Sequence, residues 1–192
     1  MNQKHTASNF SIDPSTGVLA EARQISSPNC DPRPDPDDIS LIVIHNISLP
    51  PGDFGGPWIE QLFTNCLNAD AHPYFSKICQ LKVSSHLFID RAGNILQFVP
   101  LHLRAWHAGV SVHNERENCN DFSIGIELEG TDDSAYTDQQ YRKLAGVTES
   151  LVRNFPNLNW NSIVGHSDIS PGRKTDPGPA FSWARLNDLK NS

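Results

Sequence analysis

Gly165–Pro179 combines an imidazole, carboxylates and two cations on a stretch rich in proline and glycine. His166 follows the apolar run Ser162–Val164, where we expect a strand to give way to a loop. Histidine nitrogen and aspartate oxygen both bind zinc, and a catalytic zinc site uses three protein ligands and leaves one position for water. His166 and Asp176 are therefore candidate zinc ligands, with Lys174 beside them as a fixed positive charge. A solvated charged loop is the alternative, and a third ligand elsewhere in the chain would decide between the two.

His45 is the candidate for that third ligand. It ends the run Leu41–Ile44, whose uninterrupted apolar character is typical of a strand buried on both faces. Site residues of α/β proteins lie at the carboxyl edge of the sheet. If the strands that end at His45 and His166 are adjacent, the two imidazoles and Asp176 form a His/His/Asp zinc set. A histidine that merely caps the core is the alternative for His45, and on spacing alone three other residues compete as ligands: Asp168, His86 and His107.

The segment Phe122–Glu129 is predicted to be a strand because its apolar residues alternate. Ile124, Ile126 and Leu128 lie on one face, opposite Ser123, Gly125, Glu127 and Glu129. We expect Glu129, at the strand end, to face solvent. Glu127 lies deeper, where a lone carboxylate costs free energy unless it meets a metal site or a cation. It is placed to accept a proton from attacking water and pass it to a leaving amine. Lys174 is a candidate to stabilise the oxyanion.

Arg104–Gly109 places Trp106 and His107 among small residues, which let a ligand approach the backbone. In one interpretation both side chains line a pocket. In an equally good one, Trp106 belongs to the core and His107 is its hydrogen-bonded neighbour.

The remaining pattern predicts an α/β protein with a central mixed sheet flanked by helices. A hairpin is expected from His86–Ile89 and Ile95–Val99, with its turn at residues 90–94. The strongest helix pattern runs from about Asp138 to Asn154, and Thr137 and Gln140 form its capping box. A last short helix is expected near Phe181–Leu186. We expect a loosely attached extension over residues 1–20 and a single domain over residues 21–192.

Composition limits the classes of partner. The chain has 192 residues and a formal charge of −7 at pH 7, which argues against a general nucleic-acid binder. No apolar run approaches the ~18 residues that suggest a membrane helix, and residues 1–5 do not resemble a signal peptide. The four cysteines contain no C-x-x-C pair, a pattern that suits reduced thiols in a cytoplasm. We expect a cytoplasmic protein without a membrane or nucleic-acid partner, working as a monomer.

Five blocks of this sequence resemble the type-2 N-acetylmuramoyl-L-alanine amidases, within the wider peptidoglycan-recognition group. The likeness covers roughly residues 20 to 190 in order. The blocks are Val43–Gly52, Phe54–Ile59, Arg104–Val110, Cys119–Asp132 and Arg173–Phe181.

The resemblance implies a zinc amidase of bacterial cell-wall recycling that cuts between 1,6-anhydro-N-acetylmuramic acid and the L-alanine of its stem peptide. It implies a mixed sheet flanked by helices, in agreement with the strand and helix patterns above. The zinc ligands that it implies are His45, His166 and Asp176, and the catalytic residues are Glu127 and Lys174. The positions that it implies along the bound sugar and peptide are Asn46, Ala105, His107, Asp121 and Arg173.

The main alternative is a module of the same fold that binds muropeptides without cutting them. Some peptidoglycan-recognition proteins lack a zinc ligand, whereas all three ligand positions here carry competent residues. A general zinc protease is disfavoured because the chain has no H-E-x-x-H motif.

Overall fold

The computed structural model describes residues 10–190, which form twelve short strands and four α-helices. The helices are α1 (Trp58–Phe63), α2 (Asp138–Asn154), α3 (His166–Ile169) and α4 (Trp183–Leu189). The strands are β1 (Ile12–Asp13), β2 (Val18–Leu19), β3 (Arg23–Gln24), β4 (Cys30–Pro32), β5 (Leu41–Ile47), β6 (Leu87–Ile89), β7 (Ile95–Gln97), β8 (Leu103–Ala105), β9 (Val112–His113), β10 (Arg116–Glu117), β11 (Ser123–Glu129) and β12 (Ile163–Gly165).

Six of these strands form a mixed central sheet in the order β12-β5-β11-β6-β7-β3. β12, β5, β11 and β6 are mutually parallel, and β7 runs antiparallel to β6. The predicted mixed sheet and the predicted hairpin are therefore confirmed. The condition set for bringing His45 and His166 together is met, because β12 pairs directly with β5.

One face of the sheet carries the main hydrophobic core. Ile124, Ile126 and Leu128 of β11 pack there with a stripe of α2 formed by Tyr141, Leu144, Val147 and Leu151. Fully burying an aliphatic or aromatic side chain of this kind contributes about 1.5–3 kcal/mol. The alternation of β11 thus sends its apolar side chains to one face and leaves Gly125 and Glu127 on the other.

Helix α2 begins and ends where the sequence predicts. The Thr137 hydroxyl accepts from the Gln140 backbone N–H at 3.2 Å, and the Gln140 side-chain oxygen accepts from the Thr137 N–H at 3.0 Å. This capping box satisfies two backbone donors that the first helical turn cannot satisfy itself.

A second hydrophobic cluster lies beside the site-bearing face. It joins α1 to the hairpin through Leu62, Phe63, Phe75, Phe88 and Phe98. Phe63 and Phe98 meet edge to face, with ring centroids 5.0 Å apart. The cluster anchors the segment between α1 and β6, which forms one wall of the cleft described below.

Three sequence predictions need correction. Residues 10–20 are not a loose extension, because Phe10, Ile12 and Leu19 are buried in the main core; residues 1–9 lie outside the described part of the chain. Glu129 does not face solvent: it is 3% exposed and accepts from the backbone N–H groups of Gly55 and Arg91. His166 does not begin a loop but the short helix α3.

None of the helices within residues 10–190 has the length and apolar composition that a membrane crossing requires.

Candidate metal centre and active site

Three donor atoms converge at the carboxyl edge of β5 and β12. His45 Nδ1 and His166 Nδ1 lie 2.9 Å apart, and each lies 3.0 Å from Asp176 Oδ2. Both imidazoles are buried, with 2% of each residue exposed. A compact set of two imidazole nitrogens and one carboxylate oxygen can hold a metal ion, and this donor set suits zinc.

The sheet positions the two histidines, and a turn-rich loop positions the aspartate. His45 lies within β5, while His166 follows β12 directly, so their side chains meet across the parallel pair. The loop returns to α3, where the Ser167 N–H donates to the Asp176 carbonyl at 2.9 Å. Gly178 packs so closely on residue 132 that a Cβ there would lie 2.2 Å from the Asp132 Cα. Glycine at this position thus lets the loop lie against the segment that follows β11.

The electrostatics of the three residues favour the forms that bind a metal. Burial lowers the pKa of His45 to about 4, although its contact with the Asp176 carboxylate opposes this effect. Burial alone would raise the pKa of Asp176, but its contacts with His166 and His45 outweigh burial and hold the pKa well below its ordinary value. A neutral imidazole and an ionised carboxylate are the states that ligate metals.

Glu127 lies on β11 directly opposite His45 in the parallel register. It is 8% exposed, and its Oε2 atom is buried without a hydrogen-bond partner among the described residues. Burial raises the pKa of Glu127 well above its ordinary value, the charge of Asp176 adds to this, and the charge of Lys174 opposes it. A buried carboxylate of raised pKa beside a metal-binding group is suited to accept and return a proton.

A cleft of about 580 Å³ opens above these residues. Its apolar wall comes from the segments around α1 and before β6, and includes Leu49, Leu62, Tyr74, Ile78 and Leu81. Its polar wall includes Asn46, Thr131, Asp132 and Lys174. Asn46 is held by Asp132, since its amide donates to the Asp132 Oδ1 at 2.8 Å. The cleft therefore offers one apolar and one polar side to a ligand that reaches the metal-binding group.

The five residues that the resemblance assigns to the substrate lie in different surroundings. Asn46 and His107 line the cleft, but within the described chain Ala105, Asp121 and Arg173 are not part of its lining. Ala105 is 0% exposed. Asp121 forms an ion pair with Arg104 at 2.5 Å, and Arg173 donates to the carbonyls of Ala108 and Val110 at 2.6 and 2.7 Å. The substrate roles of all five residues stay predictions.

The rival ligands lie outside the metal-binding group. Asp168 accepts from the Gly165 N–H at 2.7 Å and caps α3. His86 accepts from the Gly125 N–H at 3.0 Å through Nδ1, and its Nε2 lies 3.0 Å from the Leu103 carbonyl. His107 contacts His45 from the far side of the ring, with its Nδ1 2.9 Å from the His45 Nε2.

Two residues near the site, Arg33 and Asn120, were not predicted from the sequence to have a role. Arg33 is 5% exposed and donates to the carbonyls of Asn120, Asp121, Leu101 and Ser123. Burial lowers its pKa to about 10. Asn120 Oδ1 accepts from the backbone N–H groups of His107 and Ala108 at 3.1 and 2.8 Å. Asn120 could have been noticed in the sequence, because it lies inside one of the blocks that resemble the amidase family. The burial of Arg33 could not, because a single arginine among prolines and aspartates gives no signal of burial.

Comparison with known proteins gives a consistent result. The family described as N-acetylmuramoyl-L-alanine amidase matches residues 35–179. The 1,6-anhydro-N-acetylmuramyl-L-alanine amidase AmpD of Citrobacter freundii is 59% identical over 173 residues, which are 90% of this chain and 92% of that protein. A crystal structure of a selenomethionine AmpD derivative superposes with a TM-score of 0.90 at 57% identity, covering 93% of this chain and 98% of the other. Pseudomonas aeruginosa AmpDh3, in complex with anhydromuramic pentapeptide, has a TM-score of 0.59 at 27% identity over 81% of this chain and 61% of that one.

Proposed function

This chain belongs to the N-acetylmuramoyl-L-alanine amidase family, and from that membership we propose its substrate and metal. It hydrolyses the amide bond between 1,6-anhydro-N-acetylmuramic acid and the L-alanine of the stem peptide, as part of peptidoglycan recycling. The 59% identity to an amidase named for this bond supports the assignment. The AmpDh3 complex with anhydromuramic pentapeptide supports a muropeptide as the ligand of the cleft.

Zinc is the metal that we propose for this site, held by His45, His166 and Asp176. The observation that carries the proposal is the convergence of two imidazole nitrogens and one carboxylate oxygen within 2.9–3.0 Å of one another. A three-residue set of this kind leaves a position open, as catalytic zinc sites do. When bound, zinc supplies a Lewis acid for the scissile carbonyl and lowers the pKa of water.

Glu127 is the proposed proton carrier. Its unpaired Oε2 is free to accept the proton of the attacking water, whose oxygen bonds to the lactyl carbonyl carbon. As the carbon–nitrogen bond breaks, Glu127 returns the proton to the amino group of L-alanine. The raised pKa of Glu127 suits both halves of this transfer, because the carboxyl can hold the proton between the two steps.

Lys174 is the proposed oxyanion partner. It lines the cleft, and its charge influences the pKa of both Glu127 and His45. A cation at that position stabilises the negative charge that develops on the carbonyl oxygen, a contribution worth about 10²–10³ in rate per donor in other enzymes. We keep Asn46, Ala105, His107, Asp121 and Arg173 as proposed substrate positions, with Asn46 the best placed, since it lines the cleft beside the metal-binding group.

The chain is proposed to act as a monomer in the cytoplasm, with one zinc amidase domain that includes the packed residues from Phe10 onward. Its four cysteines are free thiols in the described structure, which suits a reducing compartment. Within the described residues, the large apolar side chains that are exposed are Phe54, Leu81, Val110 and Val112.

Mass spectrometry of the purified protein incubated with anhydromuramyl tripeptide, with and without a zinc chelator, tests the proposal. Free tripeptide that appears only without chelator supports a metal-dependent amidase. Muramyl tripeptide without the anhydro bridge is the matched substrate for specificity. Intact substrate in the presence of bound zinc would instead favour a module that binds muropeptides without cutting them.

A further inference from the structure

In both histidines of the metal-binding group, Nδ1 faces the metal position and Nε2 contacts one of two consecutive residues, His107 or Ala108. His45 Nε2 lies 2.9 Å from His107 Nδ1, and His166 Nε2 lies 3.0 Å from the Ala108 carbonyl oxygen. The Nδ1 atoms of both rings lie beside the Asp176 carboxylate. Two consecutive residues therefore contact the Nε2 atoms of both imidazoles, His107 through its side chain and Ala108 through its carbonyl.

The hydrogen bonds of this stretch determine which nitrogen of each ring carries the proton. A carbonyl oxygen only accepts, so His166 carries its proton on Nε2 and turns the Nδ1 lone pair inward. Ser123 Oγ donates to the Cys119 carbonyl at 2.5 Å and therefore accepts from His107 Nε2 at 3.2 Å. His107 then has a lone pair on Nδ1, which accepts from the Nε2–H of His45. The chain of donors ends with the His45 Nδ1 lone pair directed to the metal position.

Three contacts hold His107 and Ala108 in place. Asn120 Oδ1 accepts from both of their backbone N–H groups. Arg173 donates to the Ala108 carbonyl at 2.6 Å and to the Ser170 hydroxyl at 2.7 Å, which ties the stretch to the end of α3. Gly125 leaves the space that the His107 ring fills, because a Cβ on Gly125 would lie 2.5 Å from the His107 Cγ. Together these contacts fix the position of the His107 ring and of the Ala108 carbonyl.

We propose that His107 is a positioning residue for the metal centre, which fixes the tautomer and orientation of His45, and that substrate contact is not its main role. The inference rests on the metal site of the proposed function. Partners of this kind orient metal-binding histidines and raise their basicity, and their loss costs about 10–100-fold in metal affinity. The Ala108 carbonyl serves His166 in the same way, with Arg173 and Asn120 as its supports.

The test compares His107→Leu with His107→Asn, two side chains of similar size. The asparagine Oδ1 is attached to Cγ as the histidine Nδ1 is, so it can accept from His45, whereas leucine cannot. His113→Leu, at a partly exposed histidine on β9, is the control for removing an imidazole. Zinc affinity is measured by competition with a chromogenic chelator in the absence of substrate. We expect His107→Leu to bind zinc about 10–100-fold more weakly, and His107→Asn and His113→Leu to stay close to wild type.

A substrate-contact role would give a different result. His107→Leu would then raise KM while its zinc affinity and the visible absorption of its cobalt-substituted form stayed unchanged, and this would overturn the inference. Should His107→Leu fail to fold, Ser123→Ala removes the acceptor of the His107 Nε2–H, and it is expected to weaken zinc binding in the same direction. Wild-type protein that binds zinc but leaves anhydromuramyl tripeptide intact would refute the proposed function and leave this inference standing.

Discussion

Glu127→Gln distinguishes the contribution of the buried carboxylate to catalysis from its effect on the stability of the folded protein. The substitution keeps the shape of the side chain and removes its charge and its ability to carry a proton. Because Glu127 is the proposed proton carrier, we expect the zinc content to remain at wild-type level and kcat to fall by about 10²–10⁴, the range typical of general acid–base groups.

The same substitution is expected to stabilise the metal-free protein at neutral and alkaline pH. The folded-state pKa of Glu127 is raised by burial and by Asp176, so the unfolded chain loses this proton at a lower pH than the folded chain does. Wild-type stability therefore falls as pH rises from the ordinary glutamate value toward the raised one. Each unit of difference corresponds to about 1.4 kcal/mol, and for a domain of this size each kcal/mol shifts Tm by about 2–4 °C.

Thermal melts of metal-free protein at pH 4 and pH 8 measure this effect. We expect Glu127→Gln and wild type to melt at similar temperatures at pH 4, where the carboxyl is mostly protonated in both states, and the variant to melt higher at pH 8. Glu129→Gln is the matched control on the same face of β11. Its carboxylate accepts from the Gly55 and Arg91 N–H groups, so losing one of these acceptors should cost about 1–3 kcal/mol. A zinc-loaded Glu127→Gln with full turnover, or one that melts below wild type at pH 8, would refute the reasoning.

Three further substitutions probe separate parts of the site. Asp176→Ala removes one of the three donors, so zinc and turnover should be lost together in elemental analysis and rate assays; stoichiometric zinc in this variant would contradict the ligand assignment. Lys174→Met should retain zinc and lose about 10²–10³ in kcat, whereas an unchanged rate would remove Lys174 from the mechanism. Gly125→Ala forces a Cβ to within 2.5 Å of the His107 ring, and should lower the free energy of unfolding by about 1–3 kcal/mol as well as weaken zinc binding; denaturant melts and zinc competition that match wild type would contradict this.

Local pattern was enough to predict the elements that carry the site. The alternation of β11 separates Ile126 from Glu127, and the capping box at Thr137 sets the start of α2. Apolar runs before His45 and His166 were enough to predict a strand before each histidine, whereas the adjacency of the two strands was shown only by the structure. The patterns of β11 and α2 depend on periodicities of two and 3.6 residues, which can be recognised in the sequence itself.

Features that depend on contacts distant along the chain were not predictable in the same way. The burial of Glu129 depends on the Gly55 and Arg91 N–H groups, which are 74 and 38 residues away. Arg33 is buried because four carbonyls from two later segments accept its protons. Phe10 packs on the main core although the sequence around it shows little periodicity. In each case the partner, and not the local pattern, decides the environment of the side chain.

The zinc-amidase assignment can be tested by titrating zinc into metal-free protein and measuring the release of stem peptide from anhydromuramyl tripeptide. We expect no release without metal, a rate that rises in proportion to added zinc, and saturation at one equivalent per chain. Release of peptide by the metal-free protein at the full rate, or no release at any zinc concentration, would contradict the assignment of this chain as a zinc amidase built on His45, His166 and Asp176.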